Sequence, residues 1–334
     1  MSLPKRLIEC VANVSEGRSL DLLDRYAEAI NSIPGCLLLH RDANVSANRT
    51  VFTFAGEPEA VVEAAYTLYM VVAETIDMRE HRGEHPRIGA VDVCPLVAIK
   101  NVSEEELVAL SRVLGKRIGD KLGLPVFLYE KSATASHRTN LATIRKGEYE
   151  GLELKTRSDD WKPDFGPDFH PQFGATVLGA RSYLIAWNIN LAPEAPLSVA
   201  RELATKLRES GRKGQPGLFP GLKAIGWRID EFNRCQISCN VVDPDKTDLA
   251  RVYLTAVNLA ENLGHRVTGS ELIGLIPEKY LRKAGKAFCF DGTAEGELEA
   301  AVAVLGLDDL APFNYEERVL ERLFNTKWLA RQTH

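Results

Sequence analysis

The sequence predicts an α+β protein built from two similar subdomains. Three observations predict it. Short apolar runs alternate with helical periodicity along the whole chain, both halves repeat the same order of elements, and 334 residues are long for one hydrophobic core. We place the subdomains at residues 1–179 and 180–334.

The first half contains strands and helices in the order β-α-β-β-α-β. The apolar runs RLIECVANVS, CLLLHRDA, RTVFTFAG and GAVDVCPLVAI predict its strands. Apolar residues at helical spacing predict a helix that Pro34 and Gly35 end, and a second helix from about Pro58. A further helix follows Ser103 and Glu106, which have the spacing of a capping box, and LPVFLYE predicts another strand.

The second half repeats this order. SYLIAWNINL, LKAIGWRID, CQISCNVV and HRVTGSELIGLI predict strands, and two amphipathic helices lie between them, the second ended by Gly264. Two β-α-β-β-α-β units are typical of duplicated ferredoxin-like α/β sandwiches. We expect the joint between the units within residues 150–180. That stretch, DDWKPDFGPDFHPQFGATVLGARS, is too aromatic for a flexible spacer, so it is either a linker whose aromatics fill the gap or a ligand-lining loop.

Composition excludes some partners. A net charge of -5 and 26% charged residues give no reason to expect nucleic acid or an acidic membrane surface. The amino terminus lacks the apolar core of a signal peptide, and the six cysteines lie mostly in strand-like runs, so we expect buried thiols in a reducing cytoplasm.

One motif carries candidate chemistry. His81-x-x-Glu84-His85 matches the H-x-x-E-H pattern of inverted zinc peptidases. Zinc binding would need both histidines on one face of a continuous helix, but Gly83 and Pro86 disfavour a helix here. A loop that presents His85 as a general acid or base fits better, because an imidazole titrates near neutral pH.

Four segments resemble glutamate formiminotransferase, the folate-dependent amino-terminal half of formiminotransferase-cyclodeaminase. They are VANVSEGRS, DANVSANRTVFTFAGEPEAVVEAA, IDMREHRGEHPRIGAVDVCPLV and DFGPDFHPQFGATVLGARSYLIAWNINL, and the resemblance runs from about residue 7 to about 325. It implies transfer of a formimino group between N-formimino-L-glutamate and tetrahydrofolate during histidine breakdown. It also implies two ferredoxin-like subdomains with a folate tunnel between them, and a homodimer.

The resemblance assigns residues as well. It makes His85 the catalytic histidine and the segment GPDFHPQFG the folate-binding site. That segment comprises Gly166, Pro167, Asp168, Phe169, His170, Pro171, Gln172, Phe173 and Gly174. Tetrahydrofolate is then a co-substrate, possibly polyglutamylated, and no metal is expected. We also expect no cyclodeaminase half to follow.

Other candidates follow from the chemistry of the substrates. An amidine binds as a cation, so we expect Asp42 in the DANVS turn to stabilise it and to orient His85, with a turn-capping carboxylate as the alternative. Further substrate-binding candidates are Asn13, Arg49, Glu84, Arg87 and Asn190. Arg181 and the basic loop GRKGQPG are weaker ones. Phe165, Phe169 and Phe173 would pack on the pterin or fill an interdomain gap.

Three functions remain open at this point. The first is formimino transfer, or a related transfer of a formyl group from 5-formyltetrahydrofolate at the same site. The second is a zinc hydrolase using the H-x-x-E-H motif. The third is a folate-binding protein without turnover.

Overall fold

The computed structural model describes residues 3–212, 214–229 and 232–332. These residues form two compact units. The first runs to Arg181 and includes residues 327–332, and the second is Ser182–Thr326. Each unit has one β-sheet with helices, so the α+β class with two subdomains is confirmed. No described helix is both long and apolar enough to cross a membrane.

The first unit is built on a mixed sheet whose strands lie in the order β2-β3-β1-β4-β6-β5. The strands are β1 (Leu7–Val14), β2 (Cys36–Asn44), β3 (Arg49–Gly56), β4 (Val91–Lys100), β5 (Val126–Leu128) and β6 (Thr176–Ala180). The helices are α1 (Leu20–Asn31), α2 (Pro58–Thr75), α3 (Glu104–Leu122), α4 (Leu141–Arg145) and α5 (Glu148–Lys155). Strands β1 to β4 pair antiparallel, whereas β6 pairs parallel with both β4 and β5.

The second unit is a four-stranded antiparallel sheet in the order β10-β7-β9-β8. Its strands are β7 (Ile185–Leu191), β8 (Leu222–Ile229), β9 (Arg234–Val241) and β10 (Val267–Ile273). Helices α6 (Leu197–Leu207) and α7 (Leu249–Asn262) lie between these strands in the chain. Helices α8 (Glu278–Gly285), α9 (Ala294–Leu305) and α10 (Tyr315–Arg318) follow. Helix α11 (Leu320–Gln332) begins in this unit, and its residues from Lys327 onward belong to the first unit.

Alternation along the strands separates two faces of the first sheet. In β1, Ile8, Cys10 and Ala12 are fully buried in the core beneath α1 and α2. Because successive side chains of a strand point to opposite faces, Val11 and Asn13 lie on the other face. The end of β1 at Asn13 lies beside the first residues of β3 and β4, so the connections that enter these strands meet at one end of the sheet.

The aromatic segment is not a linker between the units, and that interpretation was wrong. The backbone N–H of Val126 donates to the carbonyl of Phe165 at 2.9 Å, and Phe173 is fully buried with its ring 6.3 Å from that of Tyr69. Burying a phenylalanine contributes about 1.5–3 kcal/mol. The aromatics therefore belong to the core of the first unit, and β6, which the sequence reading missed, brings the segment back into the first sheet.

Candidate active site

The histidine motif lies in the connection between α2 and β4, residues 76–90. This stretch contains turns and one isolated bridge, and no helix. Histidines four residues apart face the same way only on a helix, so the geometry required by the zinc interpretation is absent here. We refer to residues 81–87 as the histidine loop.

Asn48 fastens the histidine loop to the turn between β2 and β3. Its backbone φ of 46° places it in the left-handed region that asparagine tolerates. Its side chain accepts a hydrogen bond from the N–H of Gly17 at 3.0 Å and donates to the carbonyl of Arg82 at 3.1 Å. The sequence analysis missed this residue. Its position after a turn in NVSAN was the available signal.

Gly83 permits the close approach of these two segments. A Cβ atom at this position would lie 2.1 Å from the carbonyl oxygen of Ala47 and 2.8 Å from its carbon. Contacts this short to backbone force the chain to move, because the backbone cannot rotate away as a flexible side chain does. Glycine is therefore required between the two histidines.

His81 is a structural residue with both ring nitrogens engaged. Its Nδ1 accepts a hydrogen bond from Nε of Arg87 at 3.2 Å, so Nδ1 carries no proton. Its Nε2 lies 2.9 Å from the carbonyl of Asn48 and therefore donates to it. Burial lowers the pKa of His81, consistent with this neutral form. Neither nitrogen is available to a metal or to a substrate.

Arg87 is buried and committed to carboxylates. Its Nη1 donates to Glu148 at 3.0 Å and to Glu150 at 2.9 Å, and its Nη2 donates to Glu150 at 2.7 Å. The hydrogen bonds that Arg87 donates to Glu150 raise the pKa of Arg87. The geometry therefore favours an anchor between the histidine loop and α5 over the substrate-binding residue that the sequence predicted.

His85 has the opposite arrangement to His81. It is half-buried, and its Nδ1 lies 2.8 Å from the carbonyl of Pro86, which can only accept, so Nδ1 carries the proton. Within the described residues, Nε2 has no hydrogen-bond partner, which leaves its lone pair open. Burial lowers the pKa of His85, and the charges of Arg49 and Arg145 lower it further. His85 thus presents a neutral imidazole with a free acceptor nitrogen.

A buried ion pair supports the strand end beside His85. Asp92, only 1% exposed, accepts a hydrogen bond from the N–H of Ile88 at 2.9 Å and pairs with Nη2 of Arg145. One carboxylate thus ties the end of the histidine loop to α4. The sequence analysis missed Arg145, because α4 is five residues long and carries no strong periodic pattern.

The two predicted acidic candidates are exposed. Asp42 lies in β2, opposite Val51 of β3, and not in the turn. The turn is capped instead by Asn44, whose side chain accepts from the N–H of Ala47 at 2.7 Å. Nδ1 of His85 is held by the carbonyl of Pro86, so the geometry favours Pro86 over Asp42 as the group that orients His85 through this nitrogen. Glu84 is exposed and contacts the turn only through its backbone.

The predicted folate segment, residues 166–174, is partly core and partly exposed. Gly166, Pro167 and Asp168 are exposed, whereas Phe173 is buried. Gln172 ties the segment to the end of α2, since its side chain donates to the carbonyl of Ala73 at 3.2 Å and its own carbonyl accepts from the N–H of Met78 at 2.8 Å. The segment is therefore attached to the start of the connection that carries the histidine loop.

The remaining candidates differ in position. Asn13 is buried at the end of β1, where its side chain donates to the carbonyl of Val11 at 3.0 Å. Asn190 is fully buried in the second unit and donates to Asp309 at 2.9 Å while accepting from Gln236 at 2.8 Å.

The basic loop GRKGQPG lies in the second unit. Arg212 lines a cavity of about 990 Å³ beside α6. Lys213 falls outside the described residues.

The chain matches two family models in succession. The formiminotransferase domain, N-terminal subdomain, matches residues 7–181, and the formiminotransferase domain matches residues 186–325. Among solved structures, a microcompartments protein from Desulfitobacterium hafniense overlaps 81% of this chain and 94% of its own. It does so with a TM-score of 0.22 and 13% identity, too low to inform the fold.

Curated relatives agree with the family models. The chain is 45% identical over 325 residues to the formimidoyltransferase-cyclodeaminase of Rattus norvegicus, covering 95% of this chain and 60% of that protein. It thus spans about 60% of the length of this bifunctional relative. It is 38% identical to the glutamate formimidoyltransferase of Streptococcus pyogenes, covering 95% of this chain and 98% of the relative, and 37% identical to that of Thermoplasma acidophilum, covering 87% and 95%. The chain belongs to the formiminotransferase family.

Proposed function

We propose that the protein is a glutamate formimidoyltransferase, which transfers the formimino group between N-formimino-L-glutamate and tetrahydrofolate, giving L-glutamate and 5-formiminotetrahydrofolate. Two observations support this proposal. The chain belongs to the family, and it covers nearly the whole length of two relatives that are named glutamate formimidoyltransferase. The single structural observation that carries it is the open Nε2 of His85, since the reaction needs a proton acceptor near neutral pH.

The proposed mechanism uses His85 twice. The folate amine attacks the carbon of the amidine, and Nε2 of His85 accepts the proton that leaves the attacking nitrogen. When the tetrahedral adduct collapses, the imidazolium returns this proton to the departing nitrogen of glutamate, so charge and atoms balance over the cycle. Holding both substrates side by side supplies much of the rate, because it makes the attack effectively intramolecular.

Other residues complete the proposed site. The exposed carboxylate of Asp42 stabilises the cationic amidine, and the exposed part of residues 166–174 contacts tetrahydrofolate. Asn13, Arg49 and Glu84 remain proposed substrate contacts in the first unit. We assign Asn190 to support of the second sheet, because it is fully buried and its amide is used by Asp309 and Gln236. We assign Arg87 to support of the histidine loop, because its donors are used by Glu148, Glu150 and His81.

We further propose that the two units are duplicated ferredoxin-like subdomains. Both contain the order β-α-β-β-α-β and, with the added strands β5 and β6 left aside, the same antiparallel order of four strands. We propose a cytoplasmic location, which the six free cysteines support, and a homodimer, which rests on the family resemblance alone.

The test is an assay with N-formimino-L-glutamate and tetrahydrofolate, which follows the cyclised folate product after acid treatment. N-formyl-L-glutamate with tetrahydrofolate is assayed in parallel. We expect formimino transfer that a chelator leaves intact. No transfer above an enzyme-free control would overturn the proposal, faster formyl transfer would replace it with the related activity, and hydrolysis without folate would favour a hydrolase.

A further inference from the structure

The charges of two arginines act on His85, and one of these arginines, Arg49, forms no ion pair within the described residues. Arg49 begins β3 and is half-buried. Its Nε is buried without a hydrogen-bond partner in the described stretches of the chain. Burial and the charge of Arg145 both lower the pKa of Arg49, which means that its surroundings disfavour the cation. The negative charges of Asp92 and Asp42 act on it in the opposite sense and raise its pKa.

Arg145 is held in place from one side only. Its Nη2 pairs with the buried carboxylate of Asp92, while its Nε is buried and has no partner in the described residues. Asp92 is itself fixed by the N–H of Ile88. This arrangement orients the guanidinium and leaves its Nε without a partner among the described residues.

Arg49 follows Asn48, which is hydrogen-bonded to Arg82 and His81 of the histidine loop. Arg145 pairs with Asp92, which is bonded to Ile88 just after that loop. These contacts bring both arginines to the surroundings of His85, and their charges act on each other and on His85.

The charges around His85 do not cancel. Two guanidinium groups share one buried carboxylate, since Asp42 is exposed. Partial burial of an uncompensated cation costs free energy unless an anion arrives to pair with it. In a protein with a net charge of -5, such a local excess of positive charge is a feature of this site and not of the whole surface.

We propose that Arg49 and Arg145 together bind the α-carboxylate of the amino-acid substrate, and so set the specificity for an α-amino acid. The inference rests on the proposed function. Guanidinium groups suit this ligand, because their planar donors match the two oxygens of a carboxylate.

The position of the two arginines selects the amino acid over the folate tail. In formiminoglutamate the α-carboxylate is borne by the same carbon as the reacting nitrogen. It must therefore lie close to the base that exchanges a proton with that nitrogen. The carboxylates of folate are separated from the reacting amine by the aminobenzoyl group. A carboxylate-binding site whose charges act on His85 is thus placed to bind the α-carboxylate of formiminoglutamate.

The proposal also couples binding to proton transfer. In the free protein, Arg49 and Arg145 lower the pKa of His85. A carboxylate bound between the arginines offsets part of their charge, so the pKa of His85 rises towards its ordinary value when the substrate binds. A base with a higher pKa accepts a proton more readily, so the substrate strengthens the base that acts on it.

The experiment is calorimetric binding of two ligands, L-glutamate and 4-aminobutyrate, which lacks the α-carboxylate, to the wild type and to Arg49→Gln. We expect glutamate to bind roughly 10- to 100-fold more weakly to Arg49→Gln, the loss of one charge-assisted contact. We expect 4-aminobutyrate to bind the wild type and Arg49→Gln equally, because this ligand has no α-carboxylate for Arg49 to contact. Arg49→Lys, which keeps the charge, should restore part of the affinity.

The matched control is Arg41→Gln, which removes a cation from the same hairpin, where Arg41 pairs with Asp24 at 2.5 Å. It should leave glutamate binding unchanged, and circular dichroism checks that each variant is folded. Equal weakening of both ligands, unchanged glutamate binding, or a raised KM for tetrahydrofolate alone would overturn the proposal. Glutamate binding through Arg49 without any transfer by the wild type would leave this proposal standing and remove the proposed function instead.

Discussion

The connection between α2 and β4 in the first unit and the connection between α7 and β10 in the second occupy the same place in the same order of elements. The first spans residues 76–90 and carries the histidine loop. This connection is bonded to the β2–β3 turn, to α5 and, through Met78 and Ala90, to the predicted folate segment. The second spans residues 263–266 and contains little beyond a helix end, Gly264 and His265.

The comparison of the two connections indicates where the proposed transfer chemistry lies. The repeated strands and helices supply a similar frame in both units. In the long connection, His81 has both ring nitrogens hydrogen-bonded, whereas His85 has Nδ1 bonded to a carbonyl. The proposed function therefore depends on one elaborated loop on a repeated frame, which agrees with the general behaviour of loops on rigid folds.

The largest expected effect is that of removing the base. We expect His85→Asn to lower kcat about 10²- to 10⁴-fold, the usual contribution of general acid–base catalysis, with little change in unfolding free energy. His265→Asn, in the short connection, is the control and should retain full transfer. Steady-state kinetics of both variants test this prediction. Equal losses of kcat would show that the long connection has no special role in transfer.

A smaller effect is expected from closing the gap that Gly83 leaves. The new Cβ of Gly83→Ala meets the backbone of Ala47, so the histidine loop must move, and we expect transfer to fall at least tenfold with about 1–3 kcal/mol of lost stability. Gly264→Ala meets nothing within 4 Å but has a φ of 75°. It should cost about 1–2 kcal/mol of stability and no activity. Transfer assays and chemical denaturation of both variants test this. Unimpaired transfer by Gly83→Ala would contradict the account.

The smallest effect is the pH dependence. Because the pKa of His85 lies below its ordinary 6.5, the neutral base is already present at neutral pH and is lost as pH falls through the lowered pKa. We therefore expect kcat/KM to rise with pH, with a midpoint below about 6.5, and to be flat from about pH 7 upward. Rates measured between about pH 5 and 8 test this, with His265→Asn giving the same profile. A midpoint at or above 6.5 would contradict the environment described for His85.

Helices and strands could be predicted from the sequence where hydrophobic periodicity and capping residues mark them locally. The N-cap at Ser103, whose side chain accepts from the N–H of Glu106 at 3.2 Å, illustrates this. Strand β6 was missed because its few apolar residues follow a stretch rich in proline, glycine and aromatics, and its pairing with β4 and β5 is set by distant segments. Helices α8 to α11 were not predicted either.

The candidate active site, too, was predicted only in part from the sequence. Gly83 and Pro86 predicted a loop around His85, and the structure has one. The commitment of Arg87 to Glu148 and Glu150 and the role of Arg145 depend on contacts across more than fifty residues of chain, which no local pattern records. Sequence reasoning therefore located the loop but not the network that supports it.

The most direct test of the central claim is a nitrogen-15 NMR titration of the two histidines in the long connection. We predict opposite neutral tautomers, with the proton on Nε2 in His81 and on Nδ1 in His85, and a pKa below 6.5 for each. His81→Gln and His85→Asn assign the signals. A proton on Nε2 of His85 at neutral pH, or a pKa of His85 at or above 6.5, would contradict a free base poised to accept the proton in transfer.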